Sequence, residues 1–411
     1  MAFLRLLRSR RCLTLFARTA IVPSMVVLVL VSGVVDSQEP APSTEQPGAA
    51  NPPQRMVPKA LDWLARHQHP DGGWGLASFP HRCKDLSCSA GLAEGFDSAQ
   101  QSDITATALG LLPFLAAGQT HKTKGPYQKA IFGGLYWLMK NQRPDGDLRG
   151  RPSGVAGAAV ATPAYTHPLA TIVLCEAYHL SQDRQVGAAA QQGLNFLVKH
   201  ESPATVAWSV PPADEQEMAT HVWQIMAIKA ALLAKFQVEE STVTAATKWI
   251  KACARGNHGG LFGLAGKDPS VAMTAGGILA LQLLGAKDDD PSILEGVEFL
   301  VKHPLAEPPA GTDEKIRPAT WVFTAMVFNK IEGEHYSERI GPLRGKLIET
   351  QEQNECAFGS WNPANYGHGE PGGRMAVTSF YCLAAEVYYR YLPLFQGSRE
   401  RDKAQRAPEA K

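Results

Sequence analysis

The sequence predicts an all-α protein arranged as a closed double ring of six helical hairpins, and three observations predict it. A self-similar unit recurs about every 50 residues. Each unit pairs an amphipathic helix with a second helix that is apolar on nearly all its faces. A threonine stands in one register near the start of every second helix: Thr107, Thr171, Thr220, Thr274, Thr320 and Thr378. Apolar helices belong in an inner, buried ring and amphipathic ones in an outer ring, so the two kinds in alternation close on themselves.

Residues 1–37 stand outside that ring and read as a signal peptide or a retained N-terminal anchor. Arg5, Arg8, Arg10, Arg11 and Arg18 form a positive leader, Ile21 to Val35 is an apolar run, and Val35-Asp36-Ser37 offers a small-residue cleavage site. Ser9-Arg10-Arg11-Cys12-Leu13 also resembles a twin-arginine signal. The expectation is export to a periplasm or the medium, or attachment to a membrane through an uncleaved N-terminus. Residues 38–55 are a Pro-rich linker, 56–395 the ring, and 396–411 a charged tail.

The first helix of each unit carries a small residue and, three positions on, a large apolar one. Ala60 and Trp63, Gly134 and Trp137, Gly193 and Phe196, Ala246 and Trp249, Gly296 and Phe299, and Gly345 and Ile348 fit this pattern. A loop rich in Gly, Pro or Asp follows. The second helices begin near Asp103, His167, Glu217, Ser270, Pro318 and Arg374. The residue before each shared Thr is Ala, Met or Val, and small residues with a back-bonding hydroxyl suit helices crowded toward one axis. Short links such as Leu284-Gly285-Ala286 lead to the next unit, so the long loops gather at the opposite end, where a site belongs.

Composition excludes some functions. Forty basic residues against thirty-nine acidic ones give no electrostatic footprint for nucleic acid. Beyond the leader six cysteines remain. Cys175 and Cys382 lie in apolar helical runs and read as small buried hydrophobes. Cys83 and Cys88 share a short loop and are expected to pair as a disulfide in an oxidising compartment. With His81 they make half a zinc site, so neither a metal nor another cofactor is expected.

Lys59, Ala60, Trp63, Leu64, Gln68 and Trp74 closely resemble the Gln-Trp repeat of squalene and oxidosqualene cyclases, within the terpenoid cyclase and protein prenyltransferase superfamily. The second copy keeps Gln142 and Asp145-Gly146 but has Leu148 in place of the Trp; the sixth keeps Gln353 and Trp361 with two extra residues between them. The resemblance implies a single (α/α)6 toroid. It also implies that Gln68, Trp74, Gln142 and Trp361 tie one repeat to the next. Its chemistry is not carried over. Hopene-type cyclisation needs a D-x-D-D-T-A run, where this chain has Ser102-Asp103-Ile104-Thr105-Ala106. Protein prenylation needs zinc on Asp, Cys and His, and thioester domains need G-C-G-E-Q; neither set is present.

Six inner-helix N-termini would bring partial positive charge to one mouth, which favours an anionic or polar ligand. Asp103, His167 and Arg374 are the candidate catalytic groups there, with His221, Tyr366, His368 and Tyr381 as candidate binding groups. Against this, Asp103 and Ser270 are of the type that caps a helix with no ligand at all. The expected function is an exported toroid that binds a hydrophobic or anionic small molecule or a protein. The alternative is an enzyme acting at the same mouth on an isoprenoid or a polysaccharide.

Overall fold

The computed structural model describes residues 52–83, 85, 88–92, 103–150, 164–200, 212–303, 305, 317–331, 336–363, 372–387 and 392–395. These form twelve α-helices and no strand. The outer helices are α1 (Pro52–Arg66), α3 (Gln128–Asn141), α5 (Arg184–His200), α7 (Glu240–Cys253), α9 (Pro291–Lys302) and α11 (Tyr336–Thr350). The inner ones are α2 (Asp103–Ala116), α4 (Thr166–Ser181), α6 (Glu215–Leu233), α8 (Val271–Leu283), α10 (Pro318–Lys330) and α12 (Gly373–Glu386). Each inner helix packs on the next, and α12 packs back on α2, so the inner ring closes. The predicted (α/α)6 toroid is the fold observed. Predicted starts of the inner helices fall within two residues of the observed ones.

Burial follows the two kinds of helix. In α2 every residue after Asp103 is buried, whereas α3 keeps Phe132 and Tyr136 more than half exposed. Inner helices end in a tight left-handed turn: Gln119 N–H reaches Phe114 O, Phe236 N–H reaches Ala231 O, and Ala286 N–H reaches Leu281 O, each at 2.9 Å. This closing pattern satisfies carbonyls that a helix end leaves open and turns the chain outward within three residues.

Among the described residues, a brace recurs that joins the first, second and sixth repeats to their neighbours. The Gln68 amide donates to Gly72 O in its own loop at 2.7 Å and to Ala130 O of α3 at 2.8 Å. Gln142 does the same toward Gly146 O and Ala189 O of α5. The Trp74 indole N–H caps Leu64 O near the end of α1, and Trp361 caps Leu347 O of α11, both at 2.9 Å. Gly72 has φ +98°, and a Cβ there would lie 2.5 Å from Gly133 O, so only glycine lets the loop approach α3. In the fourth repeat the polarity is reversed: Glu295 of α9 accepts from the N–H groups of Asn257, His258 and Gly260.

The sixth repeat corrects the sequence register. The bracing amide is Gln351, not Gln353: it donates to Gly359 O and to Met56 O of α1, both at 3.0 Å, and so closes the ring. Gln353 instead donates to Gln351 O and accepts from Lys59. The loop is four residues longer than in the first repeat, and alignment on the nearer Gln hides this. Among outer helices Gly345 contradicts the small-residue pattern, since a Cβ there would meet nothing, whereas one on Gly134 would strike Leu111 and Trp74.

The shared threonines also have a different purpose from crowding at the axis. Thr107 accepts the Trp74 N–H at 3.0 Å, Thr274 the Phe262 N–H at 3.3 Å, and Thr378 the Trp361 N–H at 3.2 Å. They face the loops of the outer layer and pin them to the inner helices. Aromatic side chains meet across the ring's axis instead. Trp223 of α6 meets Phe323 of α10 at 5.2 Å and Phe380 of α12 at 5.9 Å, although α6 and α12 stand three places apart in a ring of six. At the short-link end Asn329 and Lys330 donate to Phe395 O and Leu394 O and hold the buried turn Pro393–Phe395 against α6 and α10.

Gln351→Ala leaves two carbonyls at the closing seam without their donor, so it is expected to destabilise the fold by about 1–3 kcal/mol. Gln353→Ala is expected to change stability by under about 0.5 kcal/mol, as a partly exposed polar group does. Urea unfolding of both variants distinguishes the two glutamines.

Candidate functional site

Among the described residues, those expected at the mouth are held in separate contacts. Asp103 is exposed at the first turn of α2, and partial desolvation raises its carboxyl above the ordinary value, with His69 opposing. His167 is fully buried and faces the outer layer, where its ring packs on Phe196 at 4.8 Å. Its Nδ1 accepts the Leu148 N–H at 3.0 Å, and Nε2 donates to Gly193 O at 2.9 Å. It thus replaces the threonine clip in the repeat where Leu148 stands for Trp. Both ring nitrogens are engaged in holding the fold, and burial lowers its pKa to about 4.

Arg374 is likewise committed. Its guanidinium donates to Ser89 O at 3.1 Å and to the Ser360 hydroxyl at 2.9 Å, with Glu352 at 3.8 Å. Its own N–H reaches Ala90 O, so the residue fastens the loop of the first repeat to the start of α12. His221 packs edge-on against Trp249 of α7, and burial lowers its pKa to about 4. Tyr381 lies buried between Trp321 and Trp361. Tyr366 and His368 fall outside the described residues. Ser270 is a helix cap, accepting the Met273 N–H. A surface recess lined by Gln191, Leu194, Asn195, Gln237 and their neighbours lies on the outer wall and contains none of these groups.

Two buried carboxyls escaped the sequence reading. Glu176 of α4 and Glu386 of α12 are both buried, and burial raises Glu176 to about 8 and Glu386 well above the usual carboxylate range. Each sits in the last third of a mainly apolar helix, away from the loop end where the candidate groups lie.

The cysteine expectation needs correcting. Cys83 and Cys88 are free thiols rather than a disulfide. They converge with Cys356 and His67 so that Sγ of each cysteine and a ring nitrogen of His67 all lie within 4.8 Å of one another. His81, the expected partner, is exposed and is not in the group. Trp63 stacks on His67 at 4.3 Å and Phe79 meets both rings. Burial pushes Cys88 up to about 12. The Cys83 thiol is lowered: desolvation opposes this, but the Cys88 N–H favours its thiolate. Such a set of donors is able to hold a metal ion, against the expectation of none. His67 and Cys356 were missed because 289 residues separate them. The available signal was ring closure, which makes the last loop a neighbour of the first.

A family model of the squalene-hopene cyclase C-terminal domain matches residues 47–162. The terpenoid cyclase-like character read from the first repeats is thereby borne out. No curated protein matches the chain. An alpha-amylase from Clostridium perfringens is 12% identical, covers 80% of this chain and 97% of its own, and has a TM-score of 0.52. Cellobiose 2-epimerase from Spirochaeta thermophila is 16% identical over 82% of this chain and 94% of its own, also at 0.52. A type II terpene cyclase from Scytonema is 13% identical over 84% and 98%, at 0.48. The first two likenesses show the toroid, and a toroid alone carries no chemistry.

His167 is neutral when folded and has an ordinary pKa near 6.5 when unfolded, so the unfolded chain binds more protons between those values. Stability is therefore expected to fall as pH drops from about 6.5 toward 4, and His167→Gln, which keeps an acceptor and a donor, to flatten that limb. Glu176 works in the opposite sense. Its folded pKa of about 8 exceeds the ordinary 4.5, so Glu176→Gln is expected to raise the urea midpoint at pH 7 and to lose that advantage near pH 4.5. Urea midpoints measured across this pH range check both signs.

Proposed function

We propose that this terpenoid cyclase-like toroid is an exported binding protein, with its binding surface at the loop end of the ring. The aromatic contact across the axis carries the reading. Trp223, Phe323 and Phe380 occupy the centre, where a central-cavity enzyme needs room for its substrate. His167 and Arg374, two of the three candidate catalytic groups, are held by bonds to the backbone and to Ser360. A general base has to reach a substrate proton, and neither group is free to do so. Partial positive charge from the inner-helix N-termini favours a polar or anionic partner at that end. The arginine-rich leader and the apolar run after it support export.

Native mass spectrometry and organic extraction of the purified chain test the reading. No isoprenoid is expected to co-purify, and no cyclised product to form from squalene or oxidosqualene. A stoichiometric isoprenoid or any turnover would sink the binding-protein reading in favour of a divergent cyclase. The intact mass of the protein recovered from the exporting host is expected to correspond to cleavage near Ser37, and an uncleaved chain in the cytosol would refute export.

A further inference from the structure

We infer that His67, Cys83, Cys88 and Cys356 form a structural zinc site that locks the first repeat of the ring to the last. The inference rests on the fold and the side-chain geometry, and is independent of what the mouth binds.

The donor atoms are already gathered. All four lie within 4.8 Å of one another, and His67 Nε2 is 3.4 Å from Cys356 Sγ. Tetrahedral zinc, with bonds of about 2.3 Å to sulfur and about 2.0 Å to nitrogen, sets its donors about 3.5–3.8 Å apart. A contraction of about 1.3 Å at most brings the set to that geometry. Three sulfurs and one imidazole in a tetrahedron suit zinc, and four protein donors leave no position for water, as in sites that hold structure. The expected disulfide would use two of the sulfurs and leave His67 and Cys356 converging on nothing.

The surroundings are those of a metal-ligand set. His67 Nδ1 donates to Trp63 O at 2.7 Å, which fixes the tautomer and turns the Nε2 lone pair toward the sulfurs. The Cys88 N–H donates to Cys83 Sγ at 3.4 Å. The Trp63 indole N–H is buried beside His67 without a hydrogen-bond partner among the described residues. Asp85 accepts the Cys356 N–H at 2.9 Å and so couples the loop of the first repeat to that of the sixth. Three thiolates around Zn2+ leave one net negative charge. Arg374 bears electrostatically on Cys83 and Cys88, and Arg66, Arg374 and Arg82 on His67, which offsets that charge, while the Asp85 carboxylate lies 3.4 Å from Cys83 Sγ. Binding releases the three thiol protons to solvent and oxidises nothing.

The position gives the site its purpose. His67 follows α1, Cys83 and Cys88 lie in the loop of the first repeat, and Cys356 lies in the loop of the sixth, beside the Gln351 brace. A ring of repeats has one seam where chain continuity does not help, and there a crosslink removes the most freedom from the unfolded chain. The site shares no carboxylate ligand with the Asp, Cys and His set that protein prenylation needs.

The full-length chain, purified in reductant without chelator, is expected to contain one zinc per molecule by elemental mass spectrometry. Cobalt(II) added to the metal-free chain is expected to give tetrahedral d–d bands and thiolate charge transfer of three-sulfur intensity. Chelation is expected to lower the melting temperature by several degrees, and zinc alone to restore it. Cys88→Ser and Cys356→Ser are expected to lose the metal, while His81→Ala keeps it. Any of three results would overturn the site: no stoichiometric metal in the native chain, a Cys83–Cys88 disulfide in that preparation, or full zinc in Cys356→Ser. Should the serine variants not fold, the cobalt spectrum of the native sequence decides, because octahedral or sulfur-free bands also refute it.

Discussion

The ring depends on how a loop grips the outer helix of the next repeat, seen in the first, second and sixth repeats. An outer helix ends with carbonyls that have no intrahelical donor, and the turn after it exposes more. One glutamine amide has two N–H donors, and Gln68, Gln142 and Gln351 each spend them on a carbonyl of their own loop and a carbonyl of the neighbouring repeat. The Trp indole settles one further carbonyl, and a hydroxyl or imidazole on the inner helix takes the N–H of the residue that follows the turn. Three layers are fastened by one short motif. Each polar group it buries is paired, so burial carries little of the desolvation penalty that an orphan would bring.

The same economy bears on function. Two polar groups at the top of the inner helices are used to hold the fold: His167 stands in for a threonine, and Arg374 ties the first loop to the last helix. Inside, large aromatic side chains meet across the axis, and the far end is covered by the turn Pro393–Phe395.

At the seam between repeats six and one, three kinds of interaction coincide: the Gln351 brace to α1, the Arg374 bonds to residues 89 and 90, and the cluster of His67, Cys83, Cys88 and Cys356. Elsewhere covalent continuity helps hold adjacent repeats. The seam has no such help, and the chain concentrates its strongest directional interactions there.

The sequence by itself determined the ring. Alternating helix types, the recurring small-x-x-large pattern and the aligned threonines each follow from local periodicity, which a reader of one chain has in full. The resemblance of Gln68, Trp74 and Gln142 to the cyclase Gln-Trp repeat also located the brace in the first two repeats. Only the tertiary structure decided the rest. Inward and outward faces of a buried helix are equally apolar in sequence, so it could not be read that His167 and the threonines face the outer layer while Trp223 faces the axis. Nor could spacing reveal that Gln351 rather than Gln353 closes the ring, since four extra residues in a loop leave no local trace. His67 and Cys356 become neighbours of Cys83 and Cys88 through ring closure, a contact over 289 residues that no local pattern encodes.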